Sequence, residues 1–157
     1  MKHLYLNIYN NLVKLTRNKL LYEKICKQDS FSERFIIFLF HFAFFLKAYK
    51  KSISKNELQE IYDFIFKQVE LSIREIGYGD SAINRKMKNY INIFYSIIDK
   101  VELWEKIKND EKSVIFSKYF DIGPESDFFV NYFEKYQIFL LNNTLNYFTK
   151  DVISFKF

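Results

Sequence analysis

Apolar residues recur every three or four positions along most of the chain, which is the spacing of one face of an α-helix. The first such face consists of Leu4, Ile8, Leu12 and Leu15. It resumes at Leu21 and continues to Ile25. Several cations precede the first acid, Glu23. The pattern predicts an amphipathic helix that packs into a core. The alternative is that its apolar face rests on an anionic membrane surface.

Between Arg34 and Lys47 lie twelve residues, 35–46, of which only His41 is polar. At 1.5 Å per residue they span about 18 Å, which is too short for a hydrocarbon layer of about 30 Å. We therefore predict a central core helix, with an apolar partner on one face as the alternative. His41 is then either a hydrogen-bonded core residue or a contact or switch for a partner.

A third helix is expected to begin at Ser54, because Ser54 and Glu57 have the spacing of a capping box. Gly77 is expected to end it, since glycine readily takes the left-handed backbone conformation found after helices. The apolar stripe between them consists of Leu58, Ile61, Ile65, Val69, Ile73 and Ile76.

Asp80 is a candidate N-cap for the next helix. That helix has the clearest periodicity in the chain, a heptad-like series of Ile83, Met87, Tyr90, Phe94, Ile97, Val101 and Trp104. Because the series covers little more than three heptads, we expect a seam within a bundle rather than a free coiled coil. Two antiparallel helices joined at residues 77–80 are the expected centre of this bundle.

The rest of the chain is expected to form a short helix or turn after the polar residues 106–113, and a last helix opened by Gly123 and Pro124. The stripe of that last helix is Phe129, Tyr132, Tyr136, Leu140 and Tyr147. No structure is predicted for residues 151–157. Three glycines and one proline leave too few breaks for many short strands. We therefore predict an all-α, single-domain bundle of about five to seven helices over residues 1–157.

Composition adds a basic character and few reactive groups. The 157 residues carry 24 Lys and Arg against 19 acids, a formal net charge of +5. The sequence pI of about 9.1 keeps a nucleic-acid-binding helical module as an alternative function, although acids are interspersed among the bases. The 20% of aromatic residues accompanies many Ile, Lys and Asn residues, which indicates AT-rich coding rather than base stacking.

Little in the sequence points to catalysis. The histidines, His3 and His41, have no second ligand at metal-binding spacing, and Cys26 is the one cysteine and is expected to be a buried structural thiol. Gly77 and Gly79 lack the third glycine of a dinucleotide loop. We therefore predict no enzyme activity, no metal and no cofactor, and expect a reducing compartment.

One region combines backbone freedom with clustered charge. Arg74 and Glu75 precede the glycine turn, and Asp80, Arg85, Lys86 and Lys88 follow it. The free amides at the start of the second helix favour an anionic group from a partner. The alternative is a solvated corner in which Arg74 pairs with Asp80, and spacing alone does not separate the two.

The same residues resemble a known family. The run from Ile73 to Asp80 is similar to L-R-E-M-G-V-G-D, the signature of the ubiquinol-cytochrome c chaperone family, and the basic residues 85–88 and the pair Phe94 and Tyr95 match its continuation. Residues 21–25 resemble the family's opening L-Y-E-x-I, and residues 33–35 with His41 resemble the helix after it. The signature region is expected at 57–107. Asn84 and Ser96 depart from it, because they replace glycines.

The resemblance implies a non-enzymatic assembly factor for the cytochrome bc1 complex, peripheral to the bacterial inner membrane, with the mitochondrial matrix as second choice. Its implied client is newly made cytochrome b, with a second small assembly factor and membrane contact as further candidates, and nucleic acid is not expected. Helix 35–46 could line an apolar groove with a basic rim. The candidate partner-binding residues are His41, Arg74, Gly77, Gly79, Asp80, Arg85, Lys86, Lys88 and Tyr95.

Overall fold

The computed structural model describes residues 2–24, 31–120 and 125–157. Cys26 and the pair Gly123 and Pro124 lie outside the described residues. The described residues form eight α-helices and one 3-10 helix, with no strand, which confirms the all-α class. The helices are α1 (Lys2–Thr16), α2 (Lys19–Glu23), α3 (Phe31–Tyr49), α4 (Lys55–Glu75), α5 (Asp80–Glu102), the 3-10 helix (Trp104–Lys106), α6 (Asn109–Tyr119), α7 (Ser126–Leu141) and α8 (Leu145–Lys150).

Helix α3 is the centre of the bundle. Eleven of its 19 residues are buried, which confirms a core helix over residues 35–46. Its aromatic rings contact three different helices: Phe38 meets Tyr9 of α1, Phe42 meets Phe94 of α5, and Phe44 meets Phe133 of α7. The expectation that the pair α4 and α5 forms the centre is therefore wrong, because α4 packs mainly against α1 and α5 rather than α3, and both α4 and α5 leave their outer faces exposed.

Helix α1 packs into the core through its predicted apolar face, since Ile8, Leu12 and Leu15 are all buried. That face is consequently not available to a membrane, and the exposed side of α1 is polar apart from Leu6, which is 42% exposed. Asn18 begins α2, because its side chain accepts a hydrogen bond from the Leu20 amide at 3.1 Å.

Helices α4 and α5 form the predicted antiparallel pair. Contacts between them run in opposite directions along the chain, since Tyr62 meets Tyr95, Phe66 meets Phe94, and Arg74 meets Asp80. At the start of α4 the Ser54 hydroxyl accepts from the Glu57 amide at 3.2 Å, as the capping box predicts. The buried members of the two stripes include Ile61, Ile65, Val69 and Ile73 of α4 and Ile83, Tyr90, Phe94, Ile97 and Val101 of α5.

Two predictions at the turn between them are wrong. Ile76 does not continue the buried stripe: it is 50% exposed, because α4 ends at Glu75 and the chain turns at Gly77 with φ +104°. Asp80 is not the N-cap, because Gly79 occupies that position and makes no side-chain cap, while Asp80 is the first helical residue.

The C-terminal part differs from the sequence prediction at its end. Helix α7 buries the predicted stripe but is followed by α8, so it is not the last helix, and Tyr147 belongs to α8. Residues 151–157 are non-helical and lie beside α1, where Asn11 Nδ2 donates to the Asp151 carbonyl at 2.9 Å and Lys14 Nζ donates to the Ile153 carbonyl at 2.8 Å. The rings of Phe155 and Phe157 pack against Tyr132 of α7.

Candidate partner-binding surface

The turn between α4 and α5, with the first residues of α5, forms the most exposed charged region of the predicted set, and we call residues 74–88 the corner. Arg74 lies in the last turn of α4 and Asp80 begins α5. The Arg74 guanidinium donates to the Asp80 carboxylate at 2.7 Å and reaches Glu70 at 3.4 Å. The predicted local pair is therefore present, and the hydrogen bond to Asp80 raises the pKa of Arg74.

Other cations of the corner have no such partner. Arg85 and Lys88 are exposed and form no ion pair with any part of the chain that the structure describes. Lys86 is half-buried, with its ammonium 4.5 Å above the Tyr78 ring, a cation–π contact. Arg74 is thus compensated by neighbouring carboxylates, whereas the positive charges of Arg85 and Lys88 remain open to a partner.

The corner also exposes apolar surface that the sequence prediction missed. Ile76 is 50% exposed and Tyr78 is 42% exposed, on either side of Gly77. Leu71, one turn before the end of α4, is 42% exposed. The signal that could have identified Ile76 is its position directly before Gly77, because a residue next to a left-handed glycine leaves the helical periodicity. Apolar and basic groups consequently lie side by side here.

Tyr95 extends the exposed surface along α5. Its ring is 54% exposed and lies 6.5 Å from the Tyr62 ring at 20°, with the two hydroxyls 3.5 Å apart. Burial, together with the hydrogen bond to Tyr95, raises the pKa of Tyr62. A shallow groove separates α4 from α5 below these tyrosines, and its lining includes Phe66, Asn84, Met87, Lys88, Ile91 and Asn92.

The structure places the two departures from the signature in different surroundings. Asn84 lies on the exposed edge of the α4–α5 groove. Ser96 points toward α6, where its hydroxyl forms a hydrogen bond with the Tyr119 hydroxyl. Neither side chain occupies the turn itself, where Gly77 and Gly79 are both retained.

His41 is the predicted site residue that the structure does not bring to this surface. It is 0% exposed, its Nδ1 lies 2.9 Å from the Ile37 carbonyl, and its Nε2 lies 2.7 Å from the Tyr132 hydroxyl. This is the pattern of a neutral ring that donates to Ile37 and accepts from Tyr132. Burial lowers the pKa of His41 to about 3. The prediction that His41 contacts a partner is therefore wrong, because the ring lies inside the core. The apolar groove expected along residues 35–46 is largely absent, since most of these side chains are buried, but Phe35 and Phe38 line a partly open pocket together with Tyr9 and Val69.

Two features are absent from the described residues 2–24, 31–120 and 125–157. No helix in them is long and apolar enough to span a bilayer. No group of three or more His, Cys, Asp or Glu residues in them could hold a metal ion.

Comparison with known proteins identifies one family. The family model for the ubiquinol-cytochrome C chaperone matches residues 23–104, just over half of the chain, and this range contains α3, α4, α5 and the whole corner. No curated protein and no solved structure matches. The chain therefore belongs to the ubiquinol-cytochrome C chaperone family.

Proposed function

We propose that this protein is a non-enzymatic chaperone that binds newly made cytochrome b and promotes assembly of the cytochrome bc1 complex at the inner face of a bacterial membrane. Membership of the family supports the general role in assembly. The observation that carries the specific proposal is the corner, where unpaired cations and exposed apolar side chains occur together within the matched residues.

The chemistry of such a client fits this surface. A multi-span membrane protein presents apolar helices and charged loop ends before it is assembled. Ile76 and Tyr78 offer apolar contact, while Arg85 and Lys88 offer charge to acidic loop ends. Amphipathic side chains such as Tyr95 can contact both kinds of surface. Binding of this kind needs complementary surface and no reacting group.

The α4–α5 groove indicates how the client would lie on the proposed surface. Its floor contains Phe66, Met87 and Ile91. Its α5 edge carries Lys88, at the end of the corner, and its α4 edge carries Asp63, Lys67 and Glu70. The groove includes Lys88 of the corner and also Tyr62, whose ring stacks on the exposed ring of Tyr95. We therefore place the client along the outer faces of α4 and α5, with its acidic end at the corner, and we place a second small assembly factor, implied by the family resemblance, outside this groove.

The test is affinity purification of the full chain from membranes, followed by detection of cytochrome b. The variant carries Arg85→Glu and Lys88→Glu, and the matched control carries Lys106→Glu and Lys108→Glu, two exposed lysines outside the corner without ion pairs in the described structure. The corner variant should recover roughly tenfold less cytochrome b, because two charge reversals oppose an acidic partner. The control should recover the wild-type amount.

Assembled bc1 complex measured in the same cells gives the second readout. The corner variant should lower it, and circular dichroism should show unchanged helix content, since exposed substitutions rarely affect folding. Equal recovery of cytochrome b by wild type and corner variant would refute the proposed surface. Absence of cytochrome b from the wild-type purification would refute the proposed client.

A further inference from the structure

The positive charge of this protein is concentrated at its two ends. Residues 2–24 and 150–157 together contain seven Lys and Arg against two acids, Glu23 and Asp151, which accounts for the whole formal charge of +5. The remaining residues are balanced, with 17 bases and 17 acids. The two charged segments lie almost entirely outside the range 23–104 that the family model matches, so the feature is separate from the family signature.

The fold packs these two segments side by side. Asn7 Nδ2 donates to the Thr149 carbonyl at 2.7 Å, and Asn11 Nδ2 donates to the Asp151 carbonyl at 2.9 Å. One turn further along α1, Lys14 Nζ donates to the Ile153 carbonyl at 2.8 Å. The tail therefore runs parallel to α1, and charges that are distant in sequence share one surface.

This surface, which we call the terminal face, mixes cations with aliphatic side chains. Leu6 is 42%, Leu20 39% and Val152 73% exposed. The exposed cations on α1, α2, α8 and the tail that form no ion pair with any described residue are Lys14, Arg17, Lys19, Lys150 and Lys156. Helix α1 contains no acid, and along the tail Ile153 is buried while Val152, Ser154 and Lys156 point outward.

We propose that the terminal face docks on the surface of an anionic lipid bilayer. Cations near such a surface are attracted by its negative potential, and aliphatic side chains between them enter the boundary between headgroups and acyl chains. A nucleic acid would use the cations but would leave Leu6, Leu20 and Val152 without apolar partners. The terminal face uses other elements than the corner, so this proposal does not rest on the proposed function.

The test is flotation of the full chain with lipid vesicles. One set contains phosphatidylcholine alone, and the other contains phosphatidylcholine mixed with phosphatidylglycerol, each at low and at high salt. The wild type should float with the anionic vesicles at low salt and should be released as salt rises, because the headgroup charges are then screened. Flotation with neutral vesicles should be much weaker.

Variants assign the binding to residues. Arg17→Glu with Lys19→Glu should lower partitioning onto anionic vesicles by about tenfold or more, because two attractive charges become repulsive. Val152→Ser should lower partitioning while leaving its salt dependence unchanged. The matched control, Arg85→Glu with Lys88→Glu, reverses the same number of charges at the corner and should float as the wild type does.

Several outcomes would overturn the proposal. These are no flotation of the wild type, equal flotation with neutral vesicles, or a loss seen with the corner control but not with the terminal variant. Tight, salt-sensitive binding to duplex DNA or RNA without vesicle binding would assign the face to a nucleic acid instead. Capture of cytochrome b in detergent by the Arg17→Glu, Lys19→Glu variant distinguishes the two proposals. This measurement involves no bilayer and depends on the corner alone.

Discussion

Helix α3 buries eleven of its 19 residues, whereas every residue from 74 to 81 at the corner is exposed. Both regions stand out in the sequence, one by its hydrophobicity and the other by its glycines and charges. Within residues 35–46 of α3 the single polar side chain, His41, has hydrogen-bond partners at both ring nitrogens. At the corner, Arg85 and Lys88 have no ion-pair partner within the described residues, and Ile76 is 50% exposed.

The comparison shows which property identifies a binding surface. A run of apolar residues is attractive to a client only when neighbouring helices leave it uncovered, and the contacts of α3 with α1, α5 and α7 already cover it. The corner has less apolar surface, but that surface is exposed beside uncompensated charge. The corner therefore differs from α3 as a candidate binding surface because it has exposed apolar side chains beside cations without ion-pair partners in the described residues. Overall hydrophobicity does not make this distinction.

The largest expected effect is the loss of a core ring from α3. Phe44 contacts Trp104 at 5.2 Å and stacks on Phe133 at 5.2 Å between ring centroids. Phe44→Ala should lower the free energy of unfolding by about 3–5 kcal/mol, because it removes buried surface and leaves a cavity. Urea unfolding followed by the fluorescence of Trp104, the one tryptophan, measures this change.

Tyr95→Ala is the matched control for that measurement, since it removes an aromatic ring that is 54% exposed. It should change the free energy of unfolding by less than about 1 kcal/mol. If both substitutions cost the same, the contrast between a covered α3 and an open α5 face would be wrong.

A second, smaller effect is a pH dependence that comes from His41. Its folded pKa of about 3 lies below the ordinary value of 6.5, because burial disfavours the charged ring. The unfolded state then binds more protons between these values. The stabilisation is therefore complete above about pH 6.5 and is lost as pH falls toward 3, by up to about 1.4 kcal/mol per pH unit.

The window from pH 6.5 down to about 5.5 isolates this histidine. Glu70, whose pKa is lowered by its hydrogen bond to Lys67, and Glu105, whose pKa is also lowered, affect stability mainly at lower pH, because the unfolded carboxyls begin to bind protons about one unit above their ordinary value of 4.5. His41→Leu should abolish the slope in this window. Tyr132→Phe keeps His41 buried and should keep the slope while costing about 1–3 kcal/mol at neutral pH, because the ring loses its hydroxyl partner. An unchanged slope in His41→Leu would mean that another group titrates.

The sequence predicts features that depend on neighbours within a few residues. The capping box at Ser54, the turn at Gly77 and the buried heptad-like positions of α5 are all observed. These follow from helical spacing and from backbone preferences, which a short segment carries by itself. The clustered charges of the corner follow in the same way, whereas the sequence left open whether Arg74 pairs with Asp80, which the structure shows.

Features that depend on distant contacts could not be predicted. The position of the tail is determined by Asn11 and Lys14, which bind carbonyls about 140 residues away. The hydrogen-bond partner of the His41 ring, the Tyr132 hydroxyl, likewise lies 91 residues away in sequence. The exposure of Ile76 and Tyr78 depends on the direction that the chain takes after Gly77, which helical periodicity does not predict.

The smallest effect concerns the turn that exposes the corner. Gly77 has φ +104°, a conformation that side chains with a Cβ rarely adopt, although no atom lies within 4 Å of the added Cβ. Gly77→Ala should therefore cost about 1–2 kcal/mol of unfolding free energy through backbone strain alone. Gly79 has φ −74° and equally open space, so Gly79→Ala should stay within about 0.5 kcal/mol of wild type, because the restricted unfolded chain offsets a weaker helix start. Equal costs for the two substitutions, measured by urea unfolding, would show that the left-handed residue is not what turns the chain and exposes Ile76 and Tyr78.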